Sequence, residues 1–262
     1  MADLRFVIRK IKEKPELKGI SSEFIEEAAL NFLRKEKISL NSLSEKDIRL
    51  VVKEIRKILR SSTGRFRLDF SKGNSKERHI SSKERNEDFL KNLISMLDAK
   101  SILDLGCGLN PLSIASKDLK YFASDIDEES LGIVKEFFIK KGIKGKVFFA
   151  DLRKPNSNLP RADLCLMLKL FDVLESNGHK LAESLVKSSK CRYILASFAT
   201  KTLSGKPMNH PQRGWIERMF SRLNYPFIFY KTKNEIFYLI FKEPASLQLI
   251  SRARQLQEQT NA

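Results

Sequence analysis

Three acidic residues and two glycines are placed so that they could bind a nucleoside that carries a positive charge. The segment SILDLGCG puts Asp104 inside a predicted strand, directly before Gly106 and Gly108. Asp125 ends the next predicted strand, roughly 20 residues after the turn, where a carboxylate can accept hydrogen bonds from two ribose hydroxyls. Asp151 ends the third predicted strand and can accept a hydrogen bond from an adenine amino group.

The turn itself argues against a dinucleotide. The strict dinucleotide pattern requires a third glycine three residues after Gly108, and Pro111 occupies that position. An acidic side chain beside the turn would repel a pyrophosphate bound at the helix N-terminus. The same side chain would attract a ligand that carries a sulfonium and an ammonium group. The pattern therefore predicts S-adenosylmethionine as the ligand.

The net charge of +17, from 49 Lys and Arg against 32 Asp and Glu, predicts a polyanionic partner, with nucleic acid first. Nine basic residues lie between positions 53 and 78, against three acids. This density predicts a surface that contacts phosphates, although a solvated helix end and loop would look the same. Four residues of the segment are the candidates for RNA binding: Lys57, Arg60, Arg65 and Arg67.

The cysteines and the hydropathy pattern indicate the compartment. Cys107, Cys165 and Cys191 have no paired spacing, which argues against a disulfide framework and against a metal site. No apolar run approaches the roughly 18–20 residues that span a bilayer. We therefore expect a soluble cytoplasmic protein with no membrane partner.

The coarse secondary structure predicts an α/β fold behind a helical N-terminal region. Ser44 and Asp47 form a predicted capping box, and Ser81 and Glu84 form another. Strands are predicted near 101–105, 120–125, 146–150, 163–168, 192–198, 226–231 and 235–242, with helices near 110–117, 128–141, 179–189 and 211–223. This alternation predicts a mostly parallel, Rossmann-like seven-stranded sheet whose last two strands form an antiparallel hairpin at the edge.

These elements divide the chain into four parts. We predict a basic helical RNA-binding domain over 1–78 and a connecting helix over 79–99 that contributes to the cofactor site. The S-adenosylmethionine-dependent domain of the class I methyltransferase type follows over 100–243, and a polar tail occupies 244–262.

Five motifs together resemble a known family. LGCGLNPL, the upstream SSKERN, the strand end LMLKLF, the loop TKTLSGK and the final KNEIFYLIF are similar to motifs of the Arm/Rmt/Kgm (FmrO-type) aminoglycoside-resistance methyltransferases. The resemblance covers about Arg78 to Lys242. It implies methylation of N7 of a guanine in the decoding A site of 16S rRNA, with S-adenosylmethionine as the cofactor and the small ribosomal subunit as the partner of a monomeric enzyme.

The resemblance also implies roles for particular residues. Arg85 would hold the methionine carboxylate, and Lys169 would lie near the methyl group and the target nucleotide as the catalytic residue. The predicted cofactor-binding set is Arg85, Asp104, Gly106, Gly108, Asp125, Ile126, Asp151 and Leu152. Lys201, Ser204, Gly205 and Lys206 match the loop that would grip RNA. The first eighty residues and the segment PMNHPQRGW do not align with the family, and target choice depends on such regions.

The predicted reaction is an in-line displacement. N7 of guanine has a lone pair and no proton, so the reaction needs alignment and exclusion of water rather than a general base. Phe171 and Trp215 are candidates to stack on a target base that is flipped out of its helix. Three alternatives stay open: an inactive RNA-binding or ribosome assembly factor, a small-molecule methyltransferase, and an NAD-dependent enzyme.

Overall fold

The computed structural model describes residues 4–62, 87–154, 158–174, 178–201, 206–208 and 211–261. Its N-terminal part is a bundle of helices α1 (Leu4–Lys12), α2 (Ser22–Lys35) and α3 (Glu45–Ser62), with short 3-10 turns at Pro15–Leu17 and Leu40–Ser42. Apolar residues at helical spacing close this bundle around its own core, which includes Val7, Ile11, Ile25, Ala29, Val51 and Ile55.

The predicted capping box at the start of α3 is present. The backbone N–H of Ser44 donates to Oδ2 of Asp47 over 3.0 Å, and the backbone N–H of Asp47 donates to Oγ of Ser44 over 3.2 Å. These bonds satisfy donors that have no partner inside the helix. The box predicted at Ser81 and Glu84 lies outside the described residues.

The second part of the chain is built on one seven-stranded sheet in the order β3-β2-β1-β4-β5-β7-β6. The strands are β1 (Ser101–Leu105), β2 (Lys120–Asp125), β3 (Gly145–Phe149), β4 (Ala162–Leu168), β5 (Cys191–Ala199), β6 (Phe227–Lys231) and β7 (Glu235–Phe241). Only β7 runs antiparallel to its neighbours, and β6 forms the edge. The predicted fold, including the terminal hairpin, is confirmed.

Helices cover both faces of this sheet. They are α4 (Glu87–Met96), α5 (Pro111–Ile114), α6 (Glu128–Lys141), α7 (Phe171–Leu174), α8 (Lys180–Ser188), α9 (Gly214–Arg222) and α10 (Leu247–Asn261). Helices α4, α6 and α10 pack on one face, and α8 and α9 pack on the other. Because alternate strand residues point to opposite faces, Leu164 and Leu166 join the first core while Cys165 and Met167 join the second.

Two segments differ from the sequence-based expectation. The helix predicted over 110–117 is a single turn, because Asn110 does not cap it with its side chain and Ala115 is already extended. The predicted polar tail forms helix α10, which contacts β6 and α4. Ala253 is fully buried there, and the amide of Gln257 donates to the carbonyl of Phe229 over 2.7 Å. The tail is therefore part of the sheet domain.

The described residues contain neither a helix with the length and apolarity to cross a membrane nor a group of side chains suited to a metal ion. Cys107, Cys165 and Cys191 are buried free thiols.

Candidate active site

The turn after β1 has the backbone that its glycines predict. Gly106 and Gly108 have φ values of 66° and 49°, in the left-handed region where a Cβ atom is disfavoured. A Cβ on Gly106 would lie 3.0 Å from Cδ1 of Leu170, whereas a Cβ on Gly108 would meet nothing within 4 Å. Gly106 is therefore required for packing, and Gly108 borders open space at the carboxyl ends of the strands.

Asp125, at the end of β2, ties this turn to the following loop. Its Oδ2 accepts the backbone N–H of Gly108 over 2.8 Å, and its Oδ1 accepts those of Ile126 and Asp127 over 2.7 and 3.0 Å. Burial raises the pKa of the carboxyl, although the bond from Gly108 opposes that shift. The arrangement fixes Asp125 at the edge where the ribose was predicted.

Asp104 lies beneath the turn rather than at its open edge. Its side chain is buried, and Oδ2 accepts the hydroxyl of Tyr121 over 2.7 Å and the amide of Asn110 over 3.4 Å. The neighbouring strand β2 therefore supplies the donor that makes burial of this carboxylate tolerable.

Asp151 lies two residues beyond the end of β3. Its Oδ1 accepts the backbone N–H and Nε of Arg153 over 3.1 and 2.9 Å, and its Oδ2 accepts Nη2 of Arg153 over 2.9 Å. Burial acts to raise the pKa of this carboxyl, but the hydrogen bonds from Arg153 outweigh it and the pKa is lowered. Leu152 is buried beside it, while Ile126 directs its side chain into the core of the N-terminal bundle.

Lys169 follows β4 and makes a buried contact across the sheet. Its φ of 55° is uncommon for a residue with a side chain and marks a constrained position. Its backbone N–H is shared between the carbonyl and Oγ of Ser197, at 3.0 and 3.1 Å. Its Nζ lies 3.6 Å from Oε1 of Glu235, which also accepts the hydroxyl of Ser197 over 2.9 Å.

Glu235 was not among the predicted site residues. It is only 1% exposed and stands at the start of β7, opposite Ala199 of β5. The signal that could have found it was the Asn-Glu pair in KNEIFYLIF, since a carboxylate at the start of an otherwise apolar strand needs a partner.

The two aromatic candidates have different positions. Phe171 is fully buried between Phe198 and Trp215, so the prediction that it could stack on a base is wrong: its ring fills the core. Trp215 is half-buried, and the ring of His179 stacks on it at 3.8 Å with an angle of 3° between the planes. Of the two candidates, Trp215 is therefore the one that stays partly exposed.

The predicted RNA-binding residues are only partly within the described chain. Lys57 is exposed on α3, with its Nζ 3.8 Å from Glu54. The guanidinium of Arg60 donates to Oε1 of Glu16 over 2.9 and 2.7 Å, so this residue also has a structural contact. Lys206 is exposed, and Lys201 pairs with Pro207 through a backbone bridge. The other residues predicted to bind RNA lie outside the described chain: Arg65, Arg67, Ser204 and Gly205. Arg85, predicted to bind the cofactor, lies outside it as well.

Helix α3 contacts α7, the turn that directly follows Lys169 and Leu170. The bundle therefore meets the sheet domain at the turn that follows Lys169.

Comparison with known proteins is consistent with this geometry. A model of the ribosomal RNA methyltransferase (FmrO) family matches residues 70–236. The 16S rRNA (guanine(1405)-N(7))-methyltransferase of Frankia casuarinae is 27% identical over 145 residues, or 53% of this chain and 51% of the relative. The enzyme of the same description from Micromonospora rosea is 29% identical over 133 residues, or 48% of each chain.

The fold likeness extends further than the sequence likeness. The crystal structure of the 16S rRNA methyltransferase RmtF in complex with S-adenosyl-L-homocysteine has a TM-score of 0.69 at 20% identity, and the match covers 93% of this chain and 99% of that one. The chain spans about half the length of the curated relatives it matches.

Proposed function

Because the chain belongs to the ribosomal RNA methyltransferase (FmrO) family, we propose that it methylates N7 of a guanine in the decoding A site of 16S rRNA, using S-adenosylmethionine. The curated relatives bear names that specify guanine 1405 and N7, and we propose the same target for this chain. Reduced sensitivity to aminoglycosides is the consequence that the family resemblance leads us to expect.

The observation that carries this proposal is the convergence of three features at one edge of the sheet. The glycine turn after β1 leaves space beside Gly108, Asp125 follows at the end of β2, and Asp151 follows β3. The next strand in the chain, β4, ends at Leu168, directly before Lys169. Ligands of open α/β sheets bind at the carboxyl ends of the strands, so these residues can hold S-adenosylmethionine beside the target base.

The residues present fit S-adenosylmethionine. An adenosyl group needs close approach to the backbone, acceptors for the ribose hydroxyls and an acceptor for the adenine amino group, which Gly108, Asp125 and Asp151 would supply. Arg85 stays the proposed partner of the methionine carboxylate, because a guanidinium binds a carboxylate with two parallel hydrogen bonds. When bound, S-adenosylmethionine supplies an electrophilic methyl group on a positively charged sulfur.

The residues of the chain align the target rather than activate it. N7 of guanine attacks with its own lone pair, so no side chain needs to remove a proton. Lysine donates readily to the major-groove acceptors of guanine, and we propose that Lys169 donates to O6 and so orients N7. Glu235 keeps the ammonium group of Lys169 at the edge of the sheet over 3.6 Å. Methylation gives the base a positive charge, which the nearby ammonium group repels, and this favours release of the product.

We propose that the N-terminal bundle binds RNA and that the positive charge of the chain strengthens this binding. We propose that residues 1–78 bind the phosphate backbone of the small subunit through Lys57, Arg60, Arg65 and Arg67, and that Lys201 and Lys206 contact RNA beside the site. The net charge of +17 supports an electrostatic interaction with RNA. We further propose that the protein acts as a cytoplasmic monomer.

Methyl incorporation tests the proposed function. The purified chain is incubated with S-adenosyl-L-[methyl-³H]methionine and either small ribosomal subunits, 16S rRNA or free guanosine. We expect about one methyl group per subunit and none on guanosine. Tight RNA binding without incorporation would support an inactive RNA-binding factor, and incorporation into free guanosine would support a small-molecule enzyme.

A further inference from the structure

Arg153 contacts two parts of the protein at once. Its guanidinium group holds both carboxylate oxygens of Asp151, through Nε and Nη2 at 2.9 Å each. The guanidinium carbon also lies 3.7 Å from the centre of the Phe24 ring in helix α2. One side chain therefore connects the loop after β3, where adenine is proposed to bind, with the N-terminal bundle.

The backbone makes a second connection between the same parts. The N–H of Ser21 donates to the carbonyl of Ile126 over 3.2 Å, and the N–H of Glu128 donates to the carbonyl of Gly19 over 2.9 Å. Ile126 immediately follows Asp125 and places its side chain in the bundle core. The segment over residues 19–24 thus touches both loops that carry the proposed ribose and adenine acceptors.

The chemistry of this contact is specific for arginine. Two parallel hydrogen bonds fix the plane of the Asp151 carboxylate, and a lysine cannot form this fork. The flat guanidinium group also stacks on the face of the Phe24 ring. A branched aliphatic side chain in place of Phe24 offers no aromatic face for this contact. Phe24 and Asp151 are both more than nine-tenths buried, whereas the side chain of Arg153 is 33% exposed, so both partners of the guanidinium group lie in the interior.

We propose that Arg153 is a positioning residue that directs Asp151 toward the adenine amino group, and that Phe24 of the RNA-binding bundle holds Arg153 in place. The inference rests on the proposed function, since it assumes an adenosyl ligand. It adds that selectivity for adenine depends on a side chain of the bundle.

Selectivity between two ligands tests the proposal. S-adenosylhomocysteine and S-inosylhomocysteine differ in the group that Asp151 would read, an amino group in the first and a carbonyl in the second. Calorimetry measures the affinity of the wild-type chain for each ligand. Because a hydrogen bond to a charged group is lost with the inosyl ligand, we expect the adenosyl ligand to bind about 10- to 100-fold more tightly. We expect Arg153→Lys and Phe24→Leu to reduce this preference about 3- to 10-fold, in line with loss of a fork or of a cation–π contact.

Controls separate positioning from general damage. Phe32→Leu is the matched variant, because Phe32 packs against the same bundle core, and it should leave the preference unchanged. Thermal unfolding of all variants reports any loss of the fold. The double variant Phe24→Leu/Arg153→Lys should be no less selective than Arg153→Lys alone, because the two residues act through one contact.

The outcomes distinguish the two proposals. Failure of the wild-type chain to bind S-adenosylhomocysteine would contradict the proposed function. Binding by the wild type, with the same preference retained in Phe24→Leu and Arg153→Lys or with additive losses in the double variant, would overturn the positioning role while leaving the function intact.

Discussion

The ammonium nitrogen of Lys169 lies 3.6 Å from Oε1 of Glu235, so the end of β4 is joined to the start of β7 by a pair of opposite charges. The side chain of Lys169 is 12% exposed and that of Glu235 is 1% exposed. Charges this deep in a protein need a partner. The pair lies where the target base is proposed to bind.

This relationship predicts the effect of removing either charge. Lys169→Met should lower kcat for methylation of small subunits about 100-fold or more, because a positioned contact to the base is lost, while S-adenosylhomocysteine binding changes less than about 3-fold. Glu235→Gln should lower kcat as well, since it leaves the lysine without its counter-charge. Single-turnover methylation together with calorimetry measures both effects. Normal kcat in Lys169→Met would contradict the assigned role.

Asp125 should make cofactor binding depend on pH. Burial raises the pKa of its carboxyl, and only the ionised form accepts two hydroxyl hydrogens well. Affinity for S-adenosylhomocysteine should therefore fall as the pH is lowered, starting at a higher pH than an ordinary aspartate would give. Asp125→Asn should bind more weakly and lose this pH dependence. Calorimetry across a pH series measures the affinity and its pH dependence. If Asp125→Asn kept the pH dependence of the wild type, another group would be responsible for it.

The stability effect of Asp125 has the opposite sign. Its pKa is higher in the folded than in the unfolded chain, so folding favours the protonated form. This contribution is present below the unfolded pKa and is lost as the pH rises through the folded one. Chemical unfolding without ligand should show this trend in the wild type and lack it in Asp125→Asn.

The two glycines of the turn should respond differently to alanine. Both have positive φ, so each substitution costs about 1–2 kcal/mol of backbone strain. Gly106→Ala also places a Cβ 3.0 Å from Leu170, and it should destabilise the fold more. Gly108→Ala meets open space in the protein but narrows the proposed cofactor site. Urea unfolding and calorimetry should show the larger loss of stability in Gly106→Ala and a clear loss of ligand affinity in Gly108→Ala.

Lys57 and Arg60 should differ in how they affect RNA binding and stability. Lys57→Ala should weaken binding to small subunits and lower the slope of log K against log salt by about 1, because one phosphate contact is lost. Arg60→Ala should also weaken binding to small subunits and lower the salt slope. It should in addition destabilise the bundle, since Arg60 binds Glu16. Lys140→Ala, in the last turn of α6, is the matched control. Equal salt slopes in Lys57→Ala and Lys140→Ala would argue against the RNA surface.

The Arg60–Glu16 contact also has a pH signature. Burial acts to raise the pKa of Glu16, but the hydrogen bond from Arg60 outweighs it and lowers the pKa below its usual value. Stability from this contact is therefore present above the unfolded pKa and is lost as the pH falls through the folded one. The stability difference between the wild type and Arg60→Ala should disappear in acid.

The sheet and its edge residues could be predicted because they depend on local patterns. Alternating apolar runs located all seven strands to within one or two residues, and glycines with spaced carboxylates located Gly108, Asp125 and Asp151. The packing of helix α10 on the sheet domain was not predicted, because it depends on contacts with β6 and α4 that no local pattern specifies.

The contacts that complete the site depend on the tertiary structure. Nothing in the sequence places Phe24 against Arg153, or Glu235 beside Lys169, because these contacts join distant segments. Residue type alone also misjudged Phe171, since an aromatic ring after a strand can equally face a ligand or the core. Spacing predicts which strand end a residue occupies, and packing decides which way its side chain points.

The central claim is tested most directly by locating the methyl group. Small subunits from cells that lack this modification are treated with the protein and S-adenosylmethionine, then with borohydride and aniline, which cleave RNA at N7-methylguanine. Primer extension should stop at guanine 1405, the position in the names of the curated relatives, and Lys169→Met should abolish the stop. Stoichiometric methylation with no cleavage at any guanine of the decoding A site would contradict the account.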